Sequence, residues 1–270
     1  MQLERLDIAG RQVCLADHRP AIPGSHPPLL LVHGAGHDHG VWDEVGARLA
    51  GAGLHAIAPD LPGHGGSGGD APASIDAAAD WLLRLLDALG LGAAGLVGHS
   101  MGSLIALAAA ARAPERVSSL VLVGSLAPMP VSPFLLDAVR EEPARGHALI
   151  NKFSFAPAEL LGAERHAALV AANAARMEAQ PAASLLADLQ ACNAWQDGLR
   201  CATALRCPAL LVCGERDRMT PPDAVKPLFE ACADSAGGAR MITLAGAGHA
   251  MMDEAAPAVS EAIREFVMTH

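Results

Sequence analysis

The stretch LVGHSMGSLIALAAAA, residues 96–111, places one serine between two glycines where an apolar run meets an alanine-rich run. The first run predicts the end of a buried strand, and the second predicts a helix. A sharp strand-to-helix turn needs positions nearly free of side chains two residues before and after its serine, and Gly98 and Gly102 meet that need. The pattern therefore predicts that Ser100 is a nucleophile, the alternative being an ordinary turn serine.

Short apolar runs alternate with helical patterns along the rest of the chain. Most of the runs are continuously apolar, as in strands of a parallel sheet that helices cover on both faces. The predicted strands lie near residues 3–8, 11–17, 28–34, 54–60, 94–100, 117–124, 208–214 and 239–246. The predicted helices lie near 41–50, 74–89, 101–113, 223–232 and 254–268. This alternation predicts an α/β fold with a doubly wound sheet.

One segment, from about 125 to 200, contains helical patterns but no strong strand. It is too long for a loop, so we predict a helical insertion between two strands. The chain then divides into a core of residues 1–125 and 201–270 and a helical cap of residues 126–200. Bulky apolar side chains of this cap are candidates to line a substrate pocket, or they only pack the insertion onto the sheet; they are Phe134, Phe153, Phe155 and Trp195.

A serine hydroxyl needs a base to accept its proton, and the base needs a carboxylate to orient it. Around such a strand-to-helix turn the order along the chain is serine, then an acidic residue, then histidine, each after a strand. Asp217 and His249 follow the last two predicted strands, with small residues around the histidine. We therefore predict that His249 is the base and Asp217 its partner, with Glu215 as the alternative acid.

The negative oxygen formed in acyl transfer needs two fixed donors, normally backbone N–H groups. One is predicted from Met101, which follows the serine. The other is predicted from Ala35 in the glycine-containing loop of residues 33–42, for which the alternative is an ordinary turn. Two further histidines of this loop, His37 and His39, are expected to be solvated.

Composition excludes several classes of function. The formal net charge of −10, without a cluster of basic residues, argues against binding to nucleic acid. Six scattered cysteines without a C-x-x-C pattern suggest neither a zinc site nor a disulfide framework, so we expect buried thiols and no metal site.

The chain is also expected to lack a membrane span. The uncharged stretch 88–111 contains several glycines, and the uncharged stretch 117–136 contains several prolines. Neither composition suits a helix that spans a membrane. Charged residues near the beginning of the chain leave no visible export signal. These observations predict a cytoplasmic protein.

Five motifs occur together in a specific order: HGAG at 33–36, PDLPGHGGS at 59–67, GHSMG at 98–102, GERD at 214–217 and GAGH at 246–249. On these motifs the chain resembles the α/β-hydrolase family. The resemblance implies an eight-stranded, mostly parallel sheet, a helical cap after the sixth strand, and a serine hydrolase without a cofactor. It also implies that His64 and His99 are structural residues of turns. The chain departs from the pattern at Ser103, where the family often has glycine.

The expected function is hydrolysis of a small-molecule carboxylic ester through an acyl-serine intermediate. Carbon–carbon bond hydrolases, lactonases, thioesterases and perhydrolases share these motifs and stay open. A carbon–carbon hydrolase would need an anion-binding side chain near the pocket; the candidates are Arg140, Arg145, Lys152, Arg165 and Arg176. A ligand-binding receptor on the same fold is the alternative from a different class, since fold and function are separable.

Overall fold

The computed structural model of the protein describes residues 1–22 and 24–270. The strands within them are β1 (Gln2–Ile8), β2 (Arg11–His18), β3 (Leu29–Val32), β4 (Ala56–Pro59), β5 (Ala94–His99), β6 (Val117–Val123), β7 (Ala209–Gly214) and β8 (Ala239–Leu244). They form one sheet in the order β1-β2-β4-β3-β5-β6-β7-β8. β2 is antiparallel to β1 and β4, and the other pairs are parallel. The predicted eight-stranded, mostly parallel sheet is confirmed.

Helices lie in the connections from β3 onward and after β8. They are α1 (Asp43–Gly51), α2 (Ile75–Ala88), α3 (Met101–Arg112), α4 (Pro133–Glu141), α5 (Pro143–Ser154), α6 (Ala158–Leu161), α7 (Ala163–Glu178), α8 (Ala182–Ala194), α9 (Gly198–Thr203), α10 (Pro222–Ala233), α11 (Met251–Glu254) and α12 (Ala256–Met268). Helices α4 to α9 all fall between β6 and β7, which confirms the helical insertion after the sixth strand. In the described part of the chain, no helix combines the length and apolarity needed to cross a bilayer.

Both faces of the sheet are covered, as the continuous apolar runs predicted. Along β3, Leu30 and Val32 join the core cluster that contains α2 and α3, whereas Leu29 and Leu31 join the cluster on the opposite face, with α1 and α12. All four side chains are almost fully buried. Burial of one such side chain contributes about 1.5–3 kcal/mol, so the two clusters are the main source of stability.

Helix α2 illustrates how local sequence produces this cover. Its N-cap, Ser74, accepts a hydrogen bond from the backbone N–H of Ala77 at 3.1 Å, which satisfies one of the free donors of the first turn. Leu82, Leu85 and Leu86 recur on one side of the helix and are fully buried against the sheet. The helix therefore begins at a polar cap and is held by its apolar stripe.

The inserted helices have a small core of their own. It contains Val139, Ile150, Met177, Leu185 and Leu189, contributed by α4, α5, α7 and α8. This cluster is separate from the two sheet clusters, whereas Ala191, Cys192 and Trp195, near the end of α8, join the cluster that contains α2 and α3. The insertion therefore has a small core of its own and is also packed onto the core of the sheet.

Hydrogen bonds join this layer to the loop that follows β4. The hydroxyl of Ser184 donates to the carbonyl oxygen of Gly63 at 2.6 Å. The side-chain oxygen of Gln180 accepts from the backbone N–H of Gly65 at 2.8 Å. Ser184 and Gln180 are both buried, so these bonds are shielded from water and hold the insertion against the core.

Candidate active site

Ser100 occupies a strained turn between β5 and α3. Its backbone has φ 51° and ψ −119°, a region that residues with a side chain rarely adopt. A Cβ atom on Gly98 would clash with the carbonyl of Gly102, and one on Gly102 would clash with the carbonyl of Val32. The two glycines are therefore required by close backbone approach, as predicted, and the turn presents a half-buried serine at the carboxyl end of β5.

Ser103 supports this turn from below. Its backbone N–H donates to the carbonyl oxygen of Ser100 at 2.9 Å, and its hydroxyl bonds to the same oxygen at 2.5 Å. The hydroxyl also bonds to that of Ser125 at 2.7 Å, and the side chain is fully buried. The departure from the family's glycine thus gives the turn two additional hydrogen bonds.

Asp217 and His249 form a buried pair. Asp217 Oδ2 lies 2.8 Å from His249 Nδ1 and accepts the hydroxyl of Thr220 at 2.6 Å, while Oδ1 accepts the backbone N–H groups of Met219 and Thr220 at 2.8 Å. Burial alone would raise the pKa of the Asp217 carboxyl, but the attraction of His249 and these hydrogen bonds hold it well below its ordinary value. The carboxylate is therefore ionised and fixes the orientation of the imidazole.

Glu215, the alternative acid, has a different environment. Its Oε2 accepts the backbone N–H of Gly246 at 2.8 Å, and its side chain is about half exposed. It therefore holds the turn after β8 and does not contact the imidazole.

His99, the last residue of β5, contacts His249 in the loop after β8. Its Nε2 donates to the backbone carbonyl of His249 at 3.0 Å, and the two ring centroids are 4.7 Å apart. Burial and the adjacent His249 lower the pKa of His99 well below its usual range, so its ring is neutral. This contact agrees with the structural role that the resemblance implies for His99.

Ser100 and His249 line the same cavity, which has a volume of about 700 Å³. Much of the remaining lining is apolar: Val41, Met129, Val131, Leu135, Ile150 and Leu189. Among the described residues, no hydrogen bond joins the Ser100 hydroxyl to the imidazole of His249. Such bonds are often long without substrate and tighten when it binds.

The four predicted pocket residues have two different environments. Phe134 and Phe153 line the cavity. Phe155 and Trp195 are almost completely buried and lie outside the lining, so the prediction is corrected for these two. The indole of Trp195 donates to Asp76 of α2 at 3.3 Å, because the end of α8 packs the insertion onto the core there.

The loop after β3 lies beside the serine. Gly34 and Ala35 line the cavity. The carbonyl oxygen of Ala35 lies 2.8 Å from Nδ1 of His37, and the backbone N–H of Gly36 donates to Asp188 of α8 at 2.8 Å. Hydrogen bonds on both sides of the Ala35–Gly36 peptide therefore fix the loop.

The same carboxylate oxygen of Asp188 lies 2.8 Å from Nε2 of His64, and both side chains are buried. Burial lowers the pKa of His64, but the hydrogen bond and charge of Asp188 outweigh burial and raise it above its ordinary value. The pair therefore joins the loop after β4, the loop after β3 and the insertion at one buried point.

His37 and His39 are not solvated, which corrects the prediction. Nε2 of His37 lies 2.8 Å from the side-chain oxygen of Asn173 on α7, and Nδ1 of His39 lies 2.7 Å from Asp60. Both rings are partly buried. They connect the loop after β3 to the insertion and to the end of β4.

One group of side chains has the composition of a metal site: ligand atoms of Cys14, His39 and Asp60 lie within 4.8 Å of one another. However, Asp60 already accepts hydrogen bonds from the backbone and ring of His39 and from the N–H of Gly66, each at 2.7 Å. Burial and the charge of Asp60 raise the pKa of the Cys14 thiol, which disfavours the thiolate a metal needs. This chemistry fits a structural hydrogen-bond cluster better than a metal centre.

The basic residues predicted as anion-binding candidates also differ in environment. Arg140 and Arg176 form salt bridges with carboxylates, and Arg165 donates to the carbonyl of Glu254 at 2.6 Å. Lys152 lines the cavity, and the guanidinium of Arg145 lies 5.1 Å from the ring of Phe134. Arg218, which the sequence did not single out, also lines the cavity.

Several side chains that shape the site were not predicted. Thr220 had no readable signal, although the backbone bond from Met219 to Asp217 follows a known pattern, because an aspartate in a turn commonly accepts the backbone N–H two residues on. Asp188 and Asn173 had none, because a polar residue in a helical pattern is normally read as solvent-facing.

Comparison with known proteins places this geometry in a family. The sequence model of the alpha/beta hydrolase fold matches residues 27–256. A pimeloyl-[acyl-carrier protein] methyl ester esterase of Neisseria meningitidis serogroup B is 30% identical, and the alignment covers 92% of this chain and 96% of that protein. A thermophilic esterase from Thermogutta terrifontis has the same fold, with a TM-score of 0.84, 24% identity, and coverage of 100% of this chain and 99% of the other.

Another relative is matched over a shorter segment. The dihydrolipoyllysine-residue acetyltransferase component of an acetoin cleaving system from Pseudomonas putida is 45% identical over 103 residues, which cover 36% of this chain and 26% of that protein. The chain thus matches about a quarter of the length of that relative. The family match, in contrast, extends over most of the sheet and the inserted helices. The chain therefore belongs to the α/β-hydrolase fold family.

Proposed function

We propose that the protein is a serine hydrolase that cleaves a carboxylic ester through an acyl-Ser100 intermediate. The observation that carries this proposal is the position of Ser100 on a strained turn in the same cavity as His249, whose ring is oriented by ionised Asp217. A serine in a core turn would not need this strain or this neighbour.

In the proposed reaction, Nε2 of His249 accepts the proton of the Ser100 hydroxyl as its oxygen attacks the ester carbonyl. Asp217 stabilises the imidazolium that forms, because its carboxylate accepts the hydrogen bond from Nδ1. The imidazolium then gives its proton to the leaving alcohol. Water, activated by the same imidazole, releases the acid from Ser100.

The backbone N–H groups of Ala35 and Met101 are the proposed donors to the negative oxygen of the intermediate. Met101 begins α3, so its N–H is free of an intrahelical partner. In the loop after β3, the N–H of Gly36 already donates to Asp188, whereas Ala35 lines the cavity next to Ser100. This difference favours Ala35 over its neighbour.

Residues 126–200 are proposed to act as the cap of the site, over a core of residues 1–125 and 201–270. The insertion contributes Phe134, Phe153 and Ile150 to the cavity, so its side chains would contact the substrate. The name of the Neisseria relative supports an ester as the bond cleaved, since that protein is 30% identical over nearly its whole length.

A fluorophosphonate probe tests the assignment, because it reacts only with an activated serine. The protein should be labelled, and Ser100→Ala should not. Ser132→Ala is a matched control, since Ser132 is another serine that lines the cavity, and it should be labelled like the unmodified protein. Equal labelling of the protein and of Ser100→Ala would refute the proposal. Ligand binding without turnover of 4-nitrophenyl esters would instead indicate a receptor.

A further inference from the structure

Two basic side chains at the cavity have no part in the proposed hydrolysis. Lys152 of α5 and Arg218, in the loop between β7 and α10, both line the cavity and are exposed to solvent. Their charged groups approach the same aromatic ring: Nζ of Lys152 is 5.8 Å and Cζ of Arg218 is 4.5 Å from the ring centroid of Phe153. Two positive charges therefore share one lining ring.

Neither charge is neutralised by a neighbour. Among the described residues, no carboxylate forms a salt bridge with Lys152 or Arg218, whereas Arg176 pairs with Asp253, another lining residue, at 3.3 Å. Like charges at one ring repel each other, and an anion near the ring would be attracted by both. The chain as a whole is acidic, with a net charge of −10, so this local excess of positive charge runs against its composition.

A third cation extends the same feature. Arg145 lies over Phe134, a lining residue that is 58% exposed. The cavity thus has the proposed nucleophile, a largely apolar interior of about 700 Å³, and a cationic, aromatic rim. An apolar chain that carries a negative charge matches these three features.

We propose that the cavity binds an acyl group ending in an anion, such as a carboxylate, and that Lys152 and Arg218 form the subsite for that anion. The inference rests on the proposed function in naming its class of substrate. The apolar part of the acyl chain lies along the cavity, and the ester carbonyl lies at Ser100.

Two esters of equal chain length test the subsite: mono-4-nitrophenyl adipate, which ends in a carboxylate, and 4-nitrophenyl hexanoate, which ends in a methyl group. The protein should have the higher kcat/KM on the adipate ester. Lys152→Gln/Arg218→Gln should lose about tenfold on the adipate ester, the combined effect of two exposed charge pairs, and stay within about twofold on the hexanoate. Raising the salt concentration should reduce the preference.

Two controls separate charge from packing. Arg216→Gln removes the same charge from the same loop, but Arg216 lies outside the lining and faces Glu215 at 3.5 Å, so the preference should persist. Lys152→Arg/Arg218→Lys keeps both charges and should keep the preference. An equal kcat/KM on the two esters, or a preference unchanged in the double glutamine variant, would refute the subsite while the proposed hydrolysis stands.

A binding measurement keeps the two proposals distinguishable. Ser100→Ala protein, which cannot turn substrate over, is titrated with monomethyl adipate and methyl hexanoate in a calorimeter. Tighter binding of the adipate ester, lost when Lys152 and Arg218 are also changed to Gln, supports the subsite even if Ser100 proves unreactive. Equal binding of both esters overturns it, whatever the outcome of the fluorophosphonate experiment.

Discussion

Asp188 of α8 accepts a hydrogen bond from the backbone N–H of Gly36 at 2.8 Å, so a side chain of the insertion fixes the loop that carries the proposed oxyanion donor. The same oxygen lies 2.8 Å from His64, and Asp188 is only 1% exposed. The helical insertion therefore does more than line the cavity, because it fixes the backbone of the loop that shares the cavity with Ser100.

Replacement of Asp188 should impair turnover more than substrate binding. In Asp188→Ala the N–H of Gly36 loses its acceptor, and the loop relaxes away from the position that stabilises the transition state. We expect kcat to fall about 10- to 100-fold, less than the loss of an oxyanion donor itself, with KM nearly unchanged. Asp188→Asn keeps an acceptor oxygen and should retain more activity. Steady-state kinetics on 4-nitrophenyl esters measures both.

Ser184→Ala is the matched control for this prediction, because Ser184 lies one turn earlier on α8 and bonds to a carbonyl away from the oxyanion loop. It should lower stability without changing kcat. A folded Asp188→Ala protein with full kcat would show that the loop holds its position unaided.

The pair of His64 and Asp188 should make stability depend on pH. The pKa of His64 is raised in the folded protein. The contribution of the pair to stability is therefore fully present below the pKa of the unfolded chain, about 6.5, and is lost as the pH rises through the pKa of the folded protein. The decrease in the free energy of unfolding that Asp188→Asn causes should therefore be larger at pH 5.5 than at pH 9. Urea denaturation at both values measures it.

The neighbouring ring does not interfere with this measurement. His33 lies 5.0 Å from His64 between centroids, and burial together with His64 lowers its pKa to about 3, so it stays neutral across the range. Ser184→Ala changes no titrating group, and its loss of stability should be the same at both pH values. If the loss of stability in Asp188→Asn grew with pH, the result would contradict the raised pKa of His64.

Asp217→Asn should nearly abolish turnover. An amide cannot stabilise the imidazolium of His249 and favours the wrong tautomer, so kcat should fall about 10³- to 10⁴-fold. Glu215→Gln is the control in the same loop, because its side chain bonds to a backbone N–H at the surface, and it should keep kcat within about twofold. The reverse order of effects would make Glu215 the acid.

The strain at Ser100 should appear as a difference in stability between two inactive variants. Ser100→Ala keeps a side chain at φ 51°, whereas Ser100→Gly removes the penalty of that backbone conformation. Glycine also raises the entropy of the unfolded chain, which offsets part of this gain. The net free energy of unfolding of Ser100→Gly should therefore exceed that of Ser100→Ala by about 1–2 kcal/mol. Denaturant unfolding gives the comparison, and a Ser100→Gly variant that is less stable than Ser100→Ala would mean that the turn is not strained.

Much of the fold, and the close approach of Asp217 and His249, could be predicted from the sequence. Apolar runs and glycine spacing are local signals, and they identified the sheet, the insertion and the turn at Ser100. Asp217 and His249 were found because chain order and strand ends restrict the choice. The contacts of Asp188 and Asn173 could not be predicted, because they depend on how the insertion folds back over loops more than 100 residues away. For the same reason Trp195 was wrongly placed in the pocket.

The buried bonds from Gln180 and Ser184 to the loop after β4 have a consequence for the timing of turnover. Detaching the whole insertion would break several such bonds, each of which contributes about 0.5–1.5 kcal/mol relative to bonds with water, so we expect wide opening to be rare. We therefore expect ligands to exchange past the exposed ring of Phe134, which lines the cavity and whose rotamer changes take picoseconds to nanoseconds. On this basis we expect the rate of entry to depend on the fluctuation of a few side chains rather than on the slower hinge motion of a domain.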